Sequence, residues 1–408
     1  MEPKVRFKGF EGEWKTPSIG DVFELRNGYT PSKIVKEFWE GGTIPWFRME
    51  DIRMNGGFLK DSLQHITPLA VKGAGLFEKR SIILATTATI GVHAMLIADS
   101  LANQQFTNFK VRKSLSDEYI DEFIYYSFFK IDEWSINNTN SGGLLSVNMP
   151  LLVKQGFLTP CKEEQQAIAT HFLTLDSKIQ STSKKLVSLK KLKSASLVAM
   201  FPQNGESMPK VRFKGFEGEW SKVELCSISK KVTTRNMDMQ YTTTLTNSAE
   251  HGIIDQLAFF DHQVSNNDNI SGYYVVENGD FVYNPRISAL APVGPINQNQ
   301  IGYTGVMSPL YYVFRVDGVD TDYLSYYFKT TLWHQYLKDV GNSGARFDRL
   351  AITDSNFQKM PIYLPTNREE QQAIATFFRS LDRKIALETA RLEKLKQIKL
   401  ACLDKMFV

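Results

Sequence analysis

A stretch of twelve residues occurs twice, letter for letter, in this chain of 408 residues. The first copy runs from Pro3 to Trp14 and the second from Pro209 to Trp220, an offset of 206 residues. The identical segments 163–170 and 369–376 have the same offset. A period this long exceeds the roughly 20–50 residues of solenoid repeats. The chain is therefore predicted to be a tandem duplication of a domain-sized unit.

The segments between these anchors differ from each other. Residues 16–159 and 221–364 have similar lengths but share almost no ungapped identity. Repeated anchors with dissimilar segments between them predict two different domains on one duplicated scaffold. The predicted parts are 1–15 (the repeated motif), 16–160 (first domain), 161–221 (first long helix and the second copy of the motif), 222–367 (second domain) and 368–408 (second long helix).

Each half ends in a predicted long helix, over 163–200 and 369–406. Apolar residues recur there at helical spacing, and no proline interrupts either run. The apolar positions are Ile168, Phe172, Leu175, Ile179, Leu186, Leu189 and Leu192 in the first copy, and Ile374, Phe378, Leu381, Ile385, Leu392, Leu395 and Ile398 in the second. Paired glutamates open both helices, and Asn367 with Glu370 resembles a capping box.

A helix with one apolar stripe needs an apolar partner. The two copies can pair as a two-stranded coiled coil, and a shared interruption of the stripe at Ser183 and Thr389 favours this pairing. The alternative is that each helix packs only on its neighbouring domain. Because the chain must return to begin its second domain, the pair is predicted to be antiparallel. The predicted class is α+β, with two α/β domains separated by the helices and related by a pseudo-two-fold axis.

Such an axis would let two domains approach the antiparallel strands of duplex DNA in equivalent ways. A helix of about 38 residues is roughly 57 Å long, which matches at most about 17 base pairs. Because the two domains differ, the two half-sites should differ as well. The predicted target is bipartite and non-palindromic, with a fixed gap.

Bulk properties exclude several other classes of protein. The net charge of +4 permits nucleic-acid binding without requiring it. Three well-separated cysteines, Cys161, Cys226 and Cys402, predict neither a disulfide framework nor a zinc site and are typical of a reducing cytoplasm. Residues 1–14 lack the apolar core of a signal peptide, and the apolar stretch 82–98 is too short and too polar to span a membrane, so we expect it to form strands.

Catalytic signatures are missing from the sequence. There is no phosphate-binding loop of the Gly-x-x-x-x-Gly-Lys-Ser/Thr type. The segment Asn284-Pro285-Arg286-Ile287 approaches a DNA amino-methyltransferase signature but lacks its second proline and its aromatic residue. The six histidines show no metal-ligand spacing. We therefore predict a chain without catalytic, metal or cofactor sites of its own.

Taken together, the Glu-Glu-Gln-Gln-Ala-Ile-Ala helix openings, the lysine-rich leucine helices, the dissimilar interiors and the repeated Pro-Lys-Val-Arg-Phe-Lys-Gly-Phe motif resemble the specificity subunits of type I restriction-modification systems. The resemblance extends over essentially the whole chain. In that family the variable segments are target recognition domains that each read half of a split DNA sequence. The repeated regions form the spacer and bind two methylation subunits.

The resemblance implies a non-catalytic, cytoplasmic DNA-binding scaffold. Its expected partners are double-stranded DNA, two methylation subunits and the translocase and nuclease subunits of restriction. S-adenosylmethionine, ATP and magnesium would be bound by those partners. Two alternatives stay open, a stand-alone DNA-binding regulator and an interaction scaffold that does not bind DNA.

Short sequence segments within the two domains also resemble the family. In the first domain it comprises 28–32, 44–48, 51–53, 88–91 and 103–105, and in the second 283–288 and 308–311. Alternation predicts strands over 109–112 and 311–315. Helical spacing predicts helices over 118–129 and 321–332.

Base reading needs arginine, lysine, asparagine or glutamine on loops that can enter a groove. The candidate DNA contacts are Lys33, Lys36, Arg48, Arg53, Asn103, Gln104 and Asn148 in the first domain, and Arg235, Asn236, Asn284, Arg286, Asn342, Arg346 and Arg349 in the second. The loops 140–144 and 342–346 are candidate phosphate cradles. For each of these residues the alternative is a solvated surface side chain. Trp46 and Trp134 are predicted to lie in the core.

Overall fold

The protein is described by a computed structural model that covers residues 2–140, 143–203, 205–259, 267–342 and 348–407. The chain forms two compact units. The first unit combines Met1–Ser183 with Ala390–Val408, and the second is Lys184–Thr389. Each unit therefore contains one domain, the opening part of one long helix and the closing part of the other.

The first domain is an α/β structure with ten strands and four short or medium helices among its described residues. The strands are β1 (Phe23–Asn27), β2 (Ile44–Phe47), β3 (Phe58–Leu59), β4 (His65–Ile66), β5 (Ile82–Ala85), β6 (His93–Leu96), β7 (Leu101–Ala102), β8 (Phe106–Val111), β9 (Thr139–Asn140) and β10 (Ser146–Val147). The helices are α1 (Ile19–Val22), α2 (Met49–Asn55), α3 (Asp121–Asn137) and α4 (Met149–Lys154), and the first long helix, α5 (Lys162–Ala199), follows.

A five-stranded sheet in the order β1-β8-β5-β6-β3 divides the first domain into two cores. Strands β5 and β6 are buried at every position, as expected of strands covered on both faces. One core packs α3 and the start of α5 on one face of the sheet. The other core, around Trp46 and Phe47, packs the smaller sheet β4-β2-β7.

The second domain also has ten strands among its described residues. They are β11 (Ser221–Glu224), β12 (Ser229–Lys231), β13 (Leu245–Ser248), β14 (Gly252–Asp255), β15 (Tyr274–Val276), β16 (Phe281–Tyr283), β17 (Ile296–Gln298), β18 (Gly305–Met307), β19 (Tyr312–Val316) and β20 (Pro361–Leu364). The helices are α6 (Gln256–Phe259), α7 (Thr321–Tyr327), α8 (His334–Val340), α9 (Asp354–Gln358) and the second long helix, α10 (Arg368–Met406). The largest sheet has the order β12-β19-β16-β17.

The long helices agree with the predicted spans to within one residue at each end, and their pairing within each unit is antiparallel. In the first unit Lys399 Nζ donates to Asp176 Oδ1 at 2.6 Å. In the second unit Lys193 pairs with Asp382, and the earlier residue Lys185 pairs with the later residue Glu388. Residue numbers rise on one helix as they fall on the other, which confirms the antiparallel helix pair.

The N-terminal parts of the long helices also pack on their own domains. Both predicted arrangements, pairing between the helices and packing on the neighbouring domain, are therefore present. Phe172 is fully buried and stacks on Tyr126 of α3, with ring centroids 4.8 Å apart. On its other side Phe172 stacks on Phe407, at 5.8 Å. The predicted stripe is wrong at Leu192 and Ile398, which are 48% and 39% exposed, although apolar residues on both sides of them along the helices pack into the cores.

A bidentate ion pair joins each copy of the repeated motif to the first turn of a long helix. Arg6 donates to both carboxylate oxygens of the buried Glu164, at 2.7 Å each. Arg212 does the same to Glu370, at 2.6 and 2.7 Å. The predicted capping box is therefore wrong, since the Glu370 carboxylate is taken by Arg212. The Asn367 side chain instead accepts from the Glu369 backbone N–H at 2.8 Å.

Glu370→Gln is expected to lower the thermal stability of the second unit by several degrees, because charge-assisted bidentate hydrogen bonds are roughly twice as strong as neutral ones. Glu369→Gln is the matched control, since the neighbouring side chain is exposed. Thermal unfolding followed by circular dichroism compares the two variants. Equal melting temperatures would show that the ion pair contributes nothing.

Several local predictions need correction. The helix predicted over 118–129 is α3, which begins and ends later, and the one predicted over 321–332 ends at Tyr327, with α8 following. Trp46 is buried as predicted, whereas Trp134 is only half-buried at the end of α3. The strand predictions over 109–112 and 311–315 fall on β8 and β19, and 82–98 forms β5 and β6.

In the part of the chain that the structure describes, no helix has the length and apolarity needed to cross a bilayer.

Candidate nucleic-acid interface

Backbone hydrogen bonds bring several loops of the first domain together at one edge of its sheets. Tyr29 N donates to Ala102 O at 2.9 Å, and Asn103 N donates to Phe47 O at 3.0 Å. Thr86 N donates to Gln105 O at 2.8 Å. We call the segments 28–32, 46–49, 86–89 and 103–105 the first loop group. It contains three of the predicted contacts: Arg48, Asn103 and Gln104.

Gly28 is required by this close approach. A Cβ atom at this position would lie 2.2 Å from Asn103 O and 2.4 Å from Ala102 O, well inside contact distance. The neighbouring side chains are then linked, because the Thr30 hydroxyl donates to Gln104 Oε1 at 2.5 Å. Asn103 Oδ1 accepts from Gln105 N at 3.0 Å, which leaves the loop ordered by its own amides.

Arg48 and Arg53 lie at the two ends of α2. Arg48 precedes the helix, where its backbone N–H is held by the buried Asp51 at 2.7 Å. Its guanidinium is partly exposed and pairs with Glu50 at 3.1 Å. Arg53 is exposed in the last turn. Arg48 is therefore held at the first loop group, whereas Arg53 lies at the other end of α2 with its side chain exposed.

Lys33 and Lys36 lie at a small cavity of about 270 Å³ beside Trp39. Both lysines are exposed, and Trp39 packs edge-on against the buried Trp46, with centroids 5.0 Å apart. The Trp39 indole N–H donates to Ser32 O at 3.0 Å. The segment that follows the first loop group is thus fixed by its aromatic residue and presents its two ammonium groups outward.

Asn148 has a structural role. It precedes α4, where its side chain accepts from Leu151 N at 3.3 Å. The preceding hairpin of β9 and β10 joins the first loop group, because Ala88 N donates to Leu145 O at 3.0 Å. Of the predicted phosphate cradle at 140–144, residues 141–142 lie outside the described residues.

The second domain has a cavity of about 350 Å³ where three predicted contacts meet: Asn284, Arg286 and Arg349. Asn284 is held by two bonds, since its amide donates to Asn247 O at 2.9 Å and its oxygen accepts from Arg286 N at 3.0 Å. Tyr311 lines the same cavity, and its hydroxyl lies 3.1 Å from that of Thr246.

Arg286 and Arg349 face each other in an antiparallel bridge at this cavity. Flanking backbone bonds fix the pairing: Ile287 N donates to Asp348 O and Leu350 N to Pro285 O, both at 2.9 Å. Like charges on directly opposed residues are destabilising. The Asp348 carboxylate lies 3.8 Å from the Arg286 guanidinium and offsets part of this repulsion. Arg286 is 69% exposed, so both the charge and its donors are available to an anion.

The remaining predicted contacts of the second domain are scattered. Asn342 pairs with Ala351 on the strand-like segment that carries Arg349. Arg346 lies outside the described residues, as does most of the predicted cradle at 342–346. Arg235 lies over the ring of Tyr274, with 5.4 Å between guanidinium carbon and ring centroid, away from the cavity.

The prediction that Asn236 contacts DNA from the surface is wrong. Its side chain is fully buried, donating to Tyr241 O at 2.8 Å and accepting from Tyr241 N at 3.1 Å. It therefore closes a turn and presents nothing to a ligand.

Sequence reasoning missed the amides beneath the cavity. Asn247 is 2% exposed and donates to Val282 O at 2.7 Å, while its oxygen accepts from Asn297 at 2.7 Å. No local pattern distinguishes a buried asparagine from an exposed one. Among the described residues no group of three or more histidine, cysteine, aspartate or glutamate side chains is arranged to hold a metal ion.

A family model described as "Type I restriction modification DNA specificity domain" matches residues 11–191 and again 223–397. The specificity subunit of the Escherichia coli type I restriction enzyme EcoprrI is 46% identical over 158 residues, 39% of each chain. That of MjaIX from Methanocaldococcus jannaschii is 30% identical over 185 residues, 44% of this chain and 42% of the relative. These alignments span about two fifths of the relatives' length.

Solved structures share the fold at low sequence identity. The type I restriction-modification S subunit from M. genitalium matches with a TM-score of 0.59 and 13% identity, covering 100% of this chain and 99% of that one. A chain from work on complex assembly and conformational transition of the type I R-M system matches with a TM-score of 0.53 and 16% identity, covering 97% and 98%.

Proposed function

We propose, from the premise that this chain belongs to the family of type I restriction-modification DNA specificity subunits, that it recognises a bipartite, asymmetric DNA target with its two different domains. Members of this family are non-catalytic DNA-recognition components. Each domain would read one half-site, because the interiors of the two halves differ while their scaffold is repeated.

The opposed arginines Arg286 and Arg349 are the observation that carries this proposal. Like charges on directly opposed residues repel each other, and in the free protein the Asp348 carboxylate, 3.8 Å from Arg286, offsets part of this repulsion. A phosphate or a guanine edge would relieve that repulsion, since arginine binds both in a bidentate manner. The adjoining cavity adds amide and hydroxyl groups, of the kind that contact bases and phosphates.

The partners and cofactors follow from the same proposal. The chain would dock two methylation subunits and the restriction subunits through the scaffold, and it would work in the cytoplasm. S-adenosylmethionine, ATP and magnesium would be bound by those subunits. The exposed apolar side chains Val187 and Leu387 on the long helices support a docking role, at 50% and 61% exposure.

Mapping methylated adenines in DNA exposed to the assembled complex tests the proposal. The expected result is one split sequence with two unrelated half-sites and a constant gap. A palindromic or continuous target would contradict the reading by two different domains. A stand-alone regulator would instead bind its target tightly without partners, and an interaction scaffold would give no sequence preference in a gel shift.

Arg286→Ala is expected to weaken binding of the complex to its target by about 1–3 kcal/mol if Arg286 reads a base. If it contacts a phosphate, the salt dependence of binding should fall by about one charge. Arg286→Lys separates the two roles, because lysine keeps the charge and loses the bidentate geometry. Fluorescence anisotropy titrations at several salt concentrations measure both quantities, and unchanged binding in all of them would remove Arg286 from the interface.

A further inference from the structure

A buried tyrosine hydroxyl joins each variable domain to the repeated scaffold. In the first unit the Tyr126 hydroxyl donates to Asp176 Oδ2 at 2.7 Å. In the second unit the Tyr326 hydroxyl donates to Asp382 Oδ2 at 2.9 Å. Tyr126 is fully buried and Tyr326 is 8% exposed. Both tyrosines belong to the interiors that share almost no ungapped identity, whereas both aspartates belong to the repeat.

A lysine from the opposite long helix completes each site. Lys399 donates to Asp176 Oδ1 at 2.6 Å, and its Nζ lies 5.5 Å from the centroid of the Tyr126 ring. In the second unit Lys193 bonds to Asp382 Oδ1 and lies 5.8 Å from the corresponding tyrosine ring. A slip of one helical turn, about 5.4 Å, would take each lysine out of reach of its carboxylate.

A second repeated contact grips the same domain helix by its backbone. Gln165 Oε1 accepts from Ile120 N at 3.0 Å, next to the start of α3. Gln371 Oε1 accepts from Asp320 N at 3.1 Å, next to the start of α7. Both glutamines are buried, at 2% and 5% exposure. A backbone donor is available from any sequence, so this contact places no demand on side chains.

The tyrosine contact does place such a demand. Burial first, and then the hydrogen bond to aspartate, raise the pKa of Tyr126 and Tyr326 well above the ordinary value. Burial thus favours the neutral phenol, the form that donates to the carboxylate. The two carboxylates are partly exposed, at 29% for Asp176 and 40% for Asp382, and the phenol gives each a charge-assisted hydrogen bond on the oxygen that the lysine does not bind.

The scaffold socket comprises Gln165, Asp176 and Lys399 in the first unit and Gln371, Asp382 and Lys193 in the second. We propose that Tyr126 and Tyr326 are positioning residues that key each exchangeable domain into the scaffold socket. The same contact fixes the antiparallel register of the helices beside it. Any domain carried by this scaffold must then supply a phenol at the equivalent point of its docking helix.

Hydrogen exchange of the full chain tests the keying. Tyr126→Phe is expected to speed amide exchange in α3 by about tenfold or more and to leave α7 unchanged. Tyr326→Phe should do the reverse. Tyr119→Phe is the matched control, because Tyr119 is 8% exposed and its hydroxyl has no hydrogen-bond partner among the described residues. If Tyr126→Phe behaves like this control, the proposal is overturned.

A charge exchange tests the register. Lys193→Asp places two carboxylates together and is expected to lower the melting temperature by several degrees, and adding Asp382→Lys should restore most of the loss. Lys191→Asp, at an exposed position on the same helix, should have little effect. A second substitution that fails to rescue would show that the pair does not set the register.

The consequence for DNA rests on the proposed function. Loosening α3 should weaken binding of the assembled complex to its own target, because the β9–β10 hairpin that follows α3 bonds to Ala88 of the first loop group. Faster exchange with unchanged DNA binding would leave the keying intact and count against DNA reading by that domain. Unchanged exchange would count against the keying alone.

Discussion

Phe407→Ala is expected to destabilise the first unit by about 3–5 kcal/mol, which is a large part of the roughly 5–15 kcal/mol that stabilises a typical domain. Phe407 is 4% exposed and lies between three aromatic residues of this unit: Trp14, Phe123 and Phe172. Phe123 lies on α3, Phe172 on α5 and Trp14 in the repeated motif, so the substitution removes a contact shared by three separate segments. Limited proteolysis should cut the first unit while the second resists.

The duplication supplies a matched variant for this experiment. Phe201 occupies the equivalent position in the second unit, 206 residues earlier, and packs against Trp220, Tyr323 and Phe378. Phe201→Ala should therefore open the second unit and spare the first. Leu400→Ala, at a 66% exposed position on α10, should change neither. Simultaneous loss of both units with either phenylalanine variant would contradict the division into two compact cores.

Inserting seven residues into both long helices, after Ser183 and after Thr389, is expected to lengthen the gap in the recognised DNA sequence by about three base pairs. Seven helical residues rise about 10.5 Å, and base pairs are spaced by 3.4 Å. The insertion points lie at the boundaries of the compact units, so each unit keeps its own contacts. Mapping methylated adenines before and after the insertion would show unchanged half-sites.

Affinity for the lengthened target should be lower than for the original one. Seven residues turn an α-helix by only about 20° from a whole number of turns, whereas three base pairs turn the DNA by roughly 100°. The complex would have to twist the DNA or itself. An insertion into one helix alone is the control, and it should abolish methylation because the helices no longer match. Altered half-sites with a constant gap would refute the spacer role.

The long helices were the most predictable part of the fold because their signal is local and repeated. Helical spacing predicts α5 and α10 to within one residue at each end. The same spacing is misleading at Leu192 and Ile398, since periodicity reports which face is apolar and not which of its residues reach a core. The docking of Phe407 against Trp14 depends on a contact between residues almost 400 positions apart, which no local pattern encodes.

The candidate site was less predictable than the fold. Arg286 and Arg349 are brought together by pairing of segments more than sixty residues apart, and their residue types alone do not indicate it. Asn236 was misplaced because an asparagine that closes a turn has the same composition signal as one that contacts a ligand. Two-residue strands such as β3 and β7 are too short to show alternation.

The first unit is built from two distant segments of the chain, and this has a consequence for synthesis on the ribosome. Its core needs residues 390–408, which are made only after the whole second unit, and Val5 N bonds to Lys405 O at 3.0 Å. At roughly 5–20 residues per second, the opening part of the first unit waits tens of seconds for its last apolar side chains. The second unit, being contiguous, can finish first. The domain translated first is thus the last to mature, and its apolar surface is the one that depends on chaperone protection during translation.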